Sequence, residues 1–417
     1  MADNTSNSVK ILDHCQVAPP PASAPSSTSL PLTFFDITWL LCRPMERIFF
    51  YESSYPTHQF IETILPTLKL SLSHTLQHFF PLASNLICPP PPNKPHLLYV
   101  DGSSVSFTLA ESTADFNHLV SNYPSDVTTL HHFVPRLPLA RVLNGGTRVV
   151  PPSAIQVTLV SSSGIAICVK FHHVAADGRA VIEDLNGLES IFLKQWWIFG
   201  GSEWKEDSSP IHDVCRHKVR ATFLLGRPQI EKLKLSTQTS TFVVTCALIW
   251  VCLIKSEQST SSEQVCYFVF VADCRDRFGI SLPTTYFGNC LALCFVPLKR
   301  RVLAGENGIV EAMKAIGNRV RELEREGAER WMLEWKEVIE KGHHLVSVAG
   351  SPKLGAYETD FGWGRPKKNE MVQIDTALVM YINETRDEKG GIEIGLALER
   401  AQMNNFTAIF EACLKEL

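Results

Sequence analysis

The chain lacks the features of a membrane protein or a nucleic-acid-binding protein. Its longest apolar run extends only from Phe242 to Ile254, whereas a membrane-spanning helix needs about 20 residues. Because 39 basic residues face 43 acidic ones, the net charge of −4 favours neither nucleic acid nor an acidic membrane as a partner. Residues 16–31 are rich in proline and serine, and no secretory signal is predicted. We expect a cytosolic protein that binds small molecules.

Signatures of several enzyme classes are also missing. The 12 cysteines include no C-x-x-C pair, and several lie in apolar, strand-like runs, which predicts buried free thiols in a reducing compartment and no metal site. The chain contains no G-x-x-x-x-G-K-[ST], no H-E-x-x-H and no G-x-S-x-G motif. A cysteine hydrolase is a weak alternative, because no cysteine adjoins a histidine and an aspartate in a recognisable arrangement.

The composition predicts a large mixed fold. At about 150 residues per domain, 417 residues predict two or three domains, and a hydrophobic fraction of 45% is typical of globular proteins. Helical and strand-like patterns are mixed in both halves without strict alternation or internal repeats. We therefore predict an α/β chain of two lobes, with a boundary between Asp177 and His217.

Local patterns predict several individual elements. Spacing of three and four residues predicts helices over 58–80 and 308–325, whereas periodicity leaves 241–254 open between helix and strand. Residues 154–160 and 165–171 are predicted to form an antiparallel hairpin, and 97–109 a second one around the turn dipeptide Asp101-Gly102. Residues 32–41 are predicted to be a buried strand or short turn.

The strongest local candidate for a catalytic group is HHVAADG, residues 172–178. The predicted strand ends at His172, and Gly178 lets the chain turn and a substrate approach. Imidazole has an unperturbed pKa of about 6.5, which suits a general base near neutral pH. Because the chain has 14 histidines, an H-x-x-x-D spacing also arises by chance, and a core histidine beside a turn aspartate is the alternative.

A second candidate is DFGWG, residues 360–364. Its two later glycines bracket Trp363 and permit an unusual backbone path. A turn that buries Phe361 and Trp363 explains this run at least as well as a catalytic role does. The first three residues match a kinase triplet, but no H-R-D loop or strand lysine motif accompanies them, which excludes a kinase.

These two motifs, together with YFGNC at 286–290, resemble the plant BAHD acyltransferases in their order and positions. The resemblance continues through LTFFDITWL at 32–40, SVAGSPKLG at 347–355 and RDEKGGIEIGL at 386–396, so it covers nearly the whole chain. LTFFDITWL and YFGNC are most similar to the branch that malonylates anthocyanins and other phenolic glycosides.

The resemblance implies a monomer of two similar lobes related to chloramphenicol acetyltransferase, with a channel between them. An N-terminal lobe would comprise residues 1–178, a crossover segment 179–216, and a C-terminal lobe 217–417. The crossover segment is shorter than in most family members. Acyl-CoA, here malonyl-CoA, would enter one side of the channel as a co-substrate and the phenolic glycoside the other, and no cofactor would be bound permanently.

The resemblance also implies roles for individual residues. His173 would be the general base. Asp177, next to Gly178, would pair with an arginine, either Arg275 or Arg277, and hold the histidine loop in place. The remaining implied residues are those of a mainly structural motif, Asp360, Phe361, Gly362, Trp363 and Gly364, and those near CoA, Ser347, Gly350 and Ser351. A malonyl group needs a cationic partner, and the sequence does not indicate which one.

Two functional alternatives stay open at this point. The chain could be a catalytically impaired relative that still binds acyl-CoA or a phenolic ligand, because the short segment after Gly178 misplaces His173. It could also be a relative that uses hydroxycinnamoyl-CoA or acetyl-CoA. The presence of both His173 and Asp177 favours an active enzyme.

Overall fold

A computed structural model describes residues 9–161, 163–175, 217–235, 239–258, 261–273, 289–323, 338, 344–376 and 379–417. The predicted site residues Asp177, Gly178 and Arg275, the alternative Arg277 and the crossover segment 179–216 lie outside these ranges. Every cysteine within them is a free thiol, as predicted, and most are buried, but Cys42 is exposed and Cys15 and Cys413 are half-buried. In the same ranges, no helix has both the length and the hydropathy to cross a bilayer, and no cluster of three metal-binding side chains occurs.

The described strands belong to three sheets. In chain order they are β1 Val9–Val17, β2 Ser27–Pro31, β3 Met45–Glu52, β4 Asn85–Cys88, β5 His96–Val100, β6 Val105–Ser112, β7 Ser125–Asp126, β8 Arg141–Val142, β9 Arg148–Val150, β10 Ser153–Val160, β11 Gly164–Phe171, β12 Lys218–Leu225, β13 Val265–Asp273, β14 Leu291–Lys299, β15 His344–Ala349, β16 Lys368–Met371, β17 Val379–Glu384 and β18 Ile392–Glu399.

The described helices alternate irregularly with these strands. They are α1 Phe34–Ile37, α2 Thr57–Gln59, α3 Leu65–His78, α4 Phe116–Leu119, α5 Thr128–His131, α6 Arg227–Leu235, α7 Thr241–Ser256, α8 Arg300–Ala304, α9 Gly308–Leu323 and α10 Arg400–Glu416. A π-helical turn, Phe60–Ile64, joins α2 to α3, so the predicted helix over 58–80 is confirmed as a nearly continuous one.

The first sheet carries the predicted hairpin. Its strand order is β1-β6-β10-β11-β3-β16. The hairpin of β10 and β11 is confirmed, with Val160 opposite Gly164 and Ser153 opposite Phe171. Both faces of this sheet are buried, one in a cluster with the inner side of α3 and the other against α4 and the segment around Phe133. Strand β11 is central and has both faces buried, which explains why it is apolar except for Lys170.

The second sheet forms with helix α7 the core of the other half of the chain. Its order is β14-β13-β15-β17-β18-β12-β7. Residues 241–254, which periodicity left open, are helical, and every residue from Val243 to Ile254 is buried. A segment that is apolar on all sides shows no period, so its start is marked only by the cap, where the Ser240 hydroxyl accepts a hydrogen bond from the Val243 N–H.

The two large sheets exchange strands. Strand β16, from the second half of the sequence, pairs with β3 in the first sheet, and β7, from the first half, pairs with β12 in the second. A buried ionic cluster lies at this exchange. Arg220 donates to Asp375 at 2.9 Å and to Glu370 at 2.8 Å, and His131 lies 3.2 Å from Asp375. The exchange and the cluster join the two halves of the chain.

Residues 32–41 follow the second of the two predicted alternatives, a short buried turn: α1 and a 3-10 turn, Thr38–Leu41, fill this stretch, and most of it is buried. The predicted hairpin at 97–109 is wrong, because β5 pairs with β2 and β4 in a five-stranded sheet, whereas β6 lies between β1 and β10. A turn dipeptide fixes only the turn, and the buried surface decides which strands pair.

Candidate active site

The two histidines of the HHVAADG run lie at the end of β11. The N–H of His172 donates to the carbonyl oxygen of Pro152 at 2.6 Å, which extends the pairing with β10 by one residue. The chain then turns, and the Ala175 N–H donates to the His172 carbonyl at 2.9 Å. His172 is buried, whereas the His173 side chain is partly exposed. Of the two, only His173 is accessible to a substrate.

The environment of His172 fits a structural role. Burial lowers its pKa to about 3, and the neighbouring His173 acts in the same direction. The imidazole is therefore neutral near pH 7, and its Nδ1 accepts a hydrogen bond from the Val174 N–H at 3.4 Å. This contact lies inside the turn and stabilises it.

An indole ring holds the imidazole of His173. The rings of Trp39 and His173 stack with centroids 4.0 Å apart and planes 12° apart. Trp39 belongs to the 3-10 turn after α1 and is itself buried. A parallel aromatic contact of this kind restricts rotation of the imidazole about its side-chain bonds. The general-base candidate is therefore oriented by a rigid neighbour.

Asn289 holds the main chain of the same turn. Its side-chain Nδ2 donates to the carbonyl oxygen of His173 at 3.0 Å and to Asp36 Oδ1 at 2.9 Å. The other carboxylate oxygen of Asp36 accepts from the Thr33 N–H at 2.8 Å and from the Thr33 hydroxyl at 2.6 Å. Asn289 lies two residues before β14. Segments from both halves of the chain thus converge on His173.

The sequence-based choice of site residues missed Trp39, Asp36 and Asn289. All three lie in motifs that carried the family resemblance, LTFFDITWL and YFGNC, but their roles depend on contacts over large sequence separations. Asn289 and His173 are 116 residues apart, and Asn289 and Asp36 are 253 apart. In the sequence, these three residues were indicated only by their position in motifs that match the family.

Comparison with known proteins decides the family. A model of the Transferase family matches residues 16–213 and 202–413. The chain belongs to the BAHD acyltransferases. It is 37% identical to coumaroyl-CoA:anthocyanidin 3-O-glucoside-6''-O-coumaroyltransferase 1 of Arabidopsis thaliana, over 468 aligned positions that cover 98% of each chain. It is 38% identical to phenolic glucoside malonyltransferase 1 of Nicotiana tabacum, over 96% of this chain and 98% of that one.

Solved structures show the same fold. Vinorine synthase superposes with a TM-score of 0.71 at 19% identity, over 96% of this chain and 98% of that one. TRI101 of F. sporotrichioides, complexed with coenzyme A and T-2, gives 0.64 at 16% identity, over 91% and 97%. The α/β fold class predicted for this BAHD acyltransferase is therefore confirmed.

The DFGWG run of this BAHD acyltransferase forms a turn built on Asp360. One carboxylate oxygen of Asp360 accepts from the N–H groups of Gly362, at 2.7 Å, and Gly364, at 2.9 Å. Both glycines have left-handed φ angles, +96° and +81°. Trp363 packs edge-on against Tyr51 with ring centroids 5.7 Å apart. The alternative of a turn that buries Phe361 and Trp363 is wrong for Phe361, which is 42% exposed, whereas Trp363 is partly buried.

The residues assigned to CoA, Ser347, Gly350 and Ser351, lie at the carboxyl end of β15. This strand runs parallel to both β13 and β17, and Ser347 is opposite Val379. Gly350 has φ +77°, and a Cβ there would lie 2.6 Å from the carbonyl oxygen of Ile382. The Ser351 hydroxyl accepts from the Lys353 N–H at 3.2 Å. Glycine is therefore required for the sharp turn after β15.

Proposed function

We propose that this chain transfers an acyl group from acyl-CoA to a sugar hydroxyl of a phenolic glycoside, with His173 as the general base. The observation that carries the proposal is the position of His173. It is the accessible histidine of the doublet, it lies two residues after the end of β11, and Trp39 and Asn289 hold its ring and its main chain. Relatives that cover nearly the whole chain are named for acyl transfer to anthocyanin and phenolic glucosides.

The proposed reaction needs one base and no covalent enzyme intermediate. A ring nitrogen of His173 takes the proton from the acceptor hydroxyl as the oxygen attacks the thioester carbonyl. The tetrahedral intermediate collapses, the carbon–sulfur bond breaks, and CoA leaves as a thiolate that recovers the proton from the imidazolium. Because thiols have pKa values near 8.5, the thiolate is a good leaving group. The buried cysteines have no part in this scheme.

We propose malonyl-CoA as the preferred donor. The motifs LTFFDITWL and YFGNC support this choice, and so do the malonyltransferases among the relatives, although relatives named for coumaroyl transfer are equally similar. Competition among equal concentrations of malonyl-CoA, acetyl-CoA and coumaroyl-CoA tests the assignment. A dominant coumaroyl product would assign the chain to the hydroxycinnamoyl-using relatives.

We further propose that the protein acts as a cytosolic monomer with lobes 1–178 and 217–417. Within this proposal Asp177, beside Gly178, pairs with Arg275 or Arg277 and supports the histidine turn. Removing one partner of a buried ion pair is strongly destabilising, so Asp177→Asn should lower the melting temperature as well as the rate. A lower rate with an unchanged melting temperature would instead make Asp177 a participant in the chemistry.

The second candidate, a catalytically impaired relative, depends on the segment 179–216. The relatives align over more positions than this chain has residues, which supports a shortened chain without locating the missing part. A variant with a family-like insertion after Gly178 tests this candidate. Higher solubility, melting temperature and malonyl transfer than the natural chain would favour impairment, and equal behaviour in all three would refute it.

The decisive test compares the two histidines. His173→Ala should lower kcat at least ~100-fold, the usual scale for loss of a general base. His172→Ala, as the matched control, should lower the melting temperature but reduce turnover per folded molecule far less, because His172 is buried in the turn. Equal losses of turnover in the two variants, or a near-normal rate for His173→Ala, would refute the assignment.

A further inference from the structure

Arg47 lies on the strand next to the one that carries His173. In the first sheet, β3 is flanked by β11 and β16, and Arg47 is opposite Val169 on one side and Met371 on the other. Directly opposed residues share a face of a sheet. Val169 precedes His173 by four residues, which is roughly 13 Å along an extended chain. The side chains of Arg47, Phe49 and Val169 are all partly exposed.

The guanidinium of Arg47 is only partly used by the protein. Its Nε donates to Asn369 Oδ1 at 2.8 Å, and its central carbon lies 5.5 Å from the centroid of the Phe49 ring. Within the ranges that the structure describes, its two terminal nitrogens have neither a hydrogen-bond partner nor a carboxylate at ion-pair distance. Burial lowers the pKa of Arg47, while electrostatic interactions with Tyr381 and Glu384 act in the opposite direction.

Two further unpartnered polar atoms belong to residues that interact with Arg47, Asn369 through its hydrogen bond and Glu384 electrostatically. The amide nitrogen of Asn369 and Oε2 of Glu384 are buried and have no hydrogen-bond partner among the described residues. The Glu384 Oε1 is occupied by the Tyr357 N–H at 3.0 Å. Asn369 is fully buried and also accepts, through its main-chain oxygen, the hydroxyl of Tyr381 at 3.3 Å. Since buried polar groups almost always have partners, this cluster is unusual.

The chemistry of the cluster favours a sugar over an anion. It combines donors, the guanidinium and the Asn369 amide, with an acceptor, the Glu384 carboxylate. A hydroxyl group both donates and accepts hydrogen bonds, whereas a phosphate or carboxylate accepts only, and Glu384 would repel it. The ring of Phe49 beside the guanidinium adds an apolar surface of the kind that packs against a sugar or an aromatic ring.

We propose that Arg47, with Asn369 and Glu384, forms a subsite for the glycosyl group of the acceptor, and that Arg47 determines acceptor specificity. This inference rests on the proposed function, since it requires a glycoside acceptor. The subsite lies on the strand beside β11, so a bound sugar would extend along the sheet face toward the end at which His173 is located.

The test measures acceptor binding and turnover in Arg47 variants. Arg47→Met removes every donor and keeps much of the volume; it should raise KM for quercetin 3-O-glucoside about tenfold or more and leave KM for malonyl-CoA nearly unchanged. Arg47→Lys should raise the acceptor KM less than Arg47→Met does, because an ammonium keeps the positive charge but lacks the planar, paired N–H donors of a guanidinium. Arg141→Met, on the exposed strand β8, is the matched control and should behave like the natural protein. Melting curves verify folding, and Glu384→Gln gives a second variant if Arg47→Met does not fold.

Each other outcome has a defined meaning. If Arg47→Met lowers turnover with malonyl-CoA but not with acetyl-CoA, Arg47 binds the donor carboxylate. An unchanged KM for the acceptor would show that the cluster binds only water. Either result overturns the inference. Isothermal titration calorimetry with the glucoside distinguishes failure of the subsite from failure of the proposed function. Arg47-dependent binding without acyl transfer would refute the function alone, whereas transfer or binding that is independent of Arg47 would refute the subsite alone.

Discussion

The side chain of Asn289 donates a hydrogen bond to the main-chain oxygen of His173, across 116 residues of sequence. The same Nδ2 reaches Asp36, so one amide group joins the histidine turn to the N-terminal helix α1. The contact with Asp36 is buried and the one with His173 is partly buried, and a buried hydrogen-bonding group that loses its partner costs about 1–3 kcal/mol. The position of the general-base candidate therefore depends on a residue outside its own motif.

Replacing Asn289 tests that dependence. Asn289→Ala leaves the Asp36 carboxylate and the His173 carbonyl without this donor, so the free energy of unfolding should fall by about 1–3 kcal/mol. We expect kcat to fall about tenfold and KM for the acceptor to change little, because the base is displaced rather than the binding surface removed. Asn404→Ala on the exposed side of α10 is the control. An unchanged kcat would show that His173 keeps its position without Asn289.

Two variants test whether Trp39 supports His173 through ring stacking or through its packing volume. Trp39→Phe retains an aromatic face against the His173 imidazole and should keep kcat within about threefold of the natural protein. Trp39→Leu keeps an apolar side chain but loses the stacked contact, and kcat should fall about tenfold. Steady-state rates at saturating substrate are the measurement. If the two variants lose activity equally, packing volume rather than stacking is what matters.

His172 should make the protein sensitive to acid. Its pKa in the folded protein is about 3, below the usual 6.5, because burial disfavours the charged ring. Between these two values the unfolded chain binds a proton that the folded chain does not, so stability should decline as pH falls from about 6.5, by up to about 1.4 kcal/mol per pH unit. Urea unfolding between pH 7 and pH 5 measures this slope. It should become shallower in His172→Gln, and an identical slope would contradict the prediction.

The environment of His344, at the start of β15, predicts that stability instead declines as the pH rises into the alkaline range. Hydrogen bonds to Cys266 and to Glu257, the latter at 2.8 Å, raise its pKa to about 9. The stabilisation from this raised pKa is fully present below about pH 6.5 and is lost as the pH rises toward 9. Unfolding measured from pH 6.5 to pH 9 should show the loss. In Glu257→Gln the decline should be smaller, whereas a steeper one would show that another group titrates.

Two glycines offer a matched pair for backbone strain. Gly350 and Gly362 both have left-handed φ angles, but an added Cβ at Gly350 would meet the Ile382 carbonyl oxygen at 2.6 Å, whereas at Gly362 nothing lies within 4 Å. Gly362→Ala should therefore cost only the backbone strain, about 1–2 kcal/mol. Gly350→Ala adds a steric clash and should lower the melting temperature further. Equal melting temperatures would mean that the turn after β15 adjusts without cost.

Local sequence patterns were sufficient where structure depends on neighbours along the chain. The hairpin of β10 and β11 and the helices α3 and α9 follow from residue spacing, and the hairpin places a histidine doublet at a strand end. Local patterns failed where pairing is decided by buried surface, as for β5 and β6, which join different sheets. Local patterns did not distinguish helix from strand for α7, because a helix that is apolar on all sides has no hydrophobic periodicity.

The sequence by itself determined the family, the α/β fold class and the choice of His173 as the candidate base, because short motifs and periodic patterns are local properties that one chain displays directly. Only the tertiary structure decided which histidine is buried, what holds the imidazole, and which polar groups surround Arg47. Those features depend on contacts between segments more than 100 residues apart, such as Asn289 with His173 and Arg47 with Asn369. Such contacts form when apolar faces of distant segments are buried together, and no local pattern encodes that geometry.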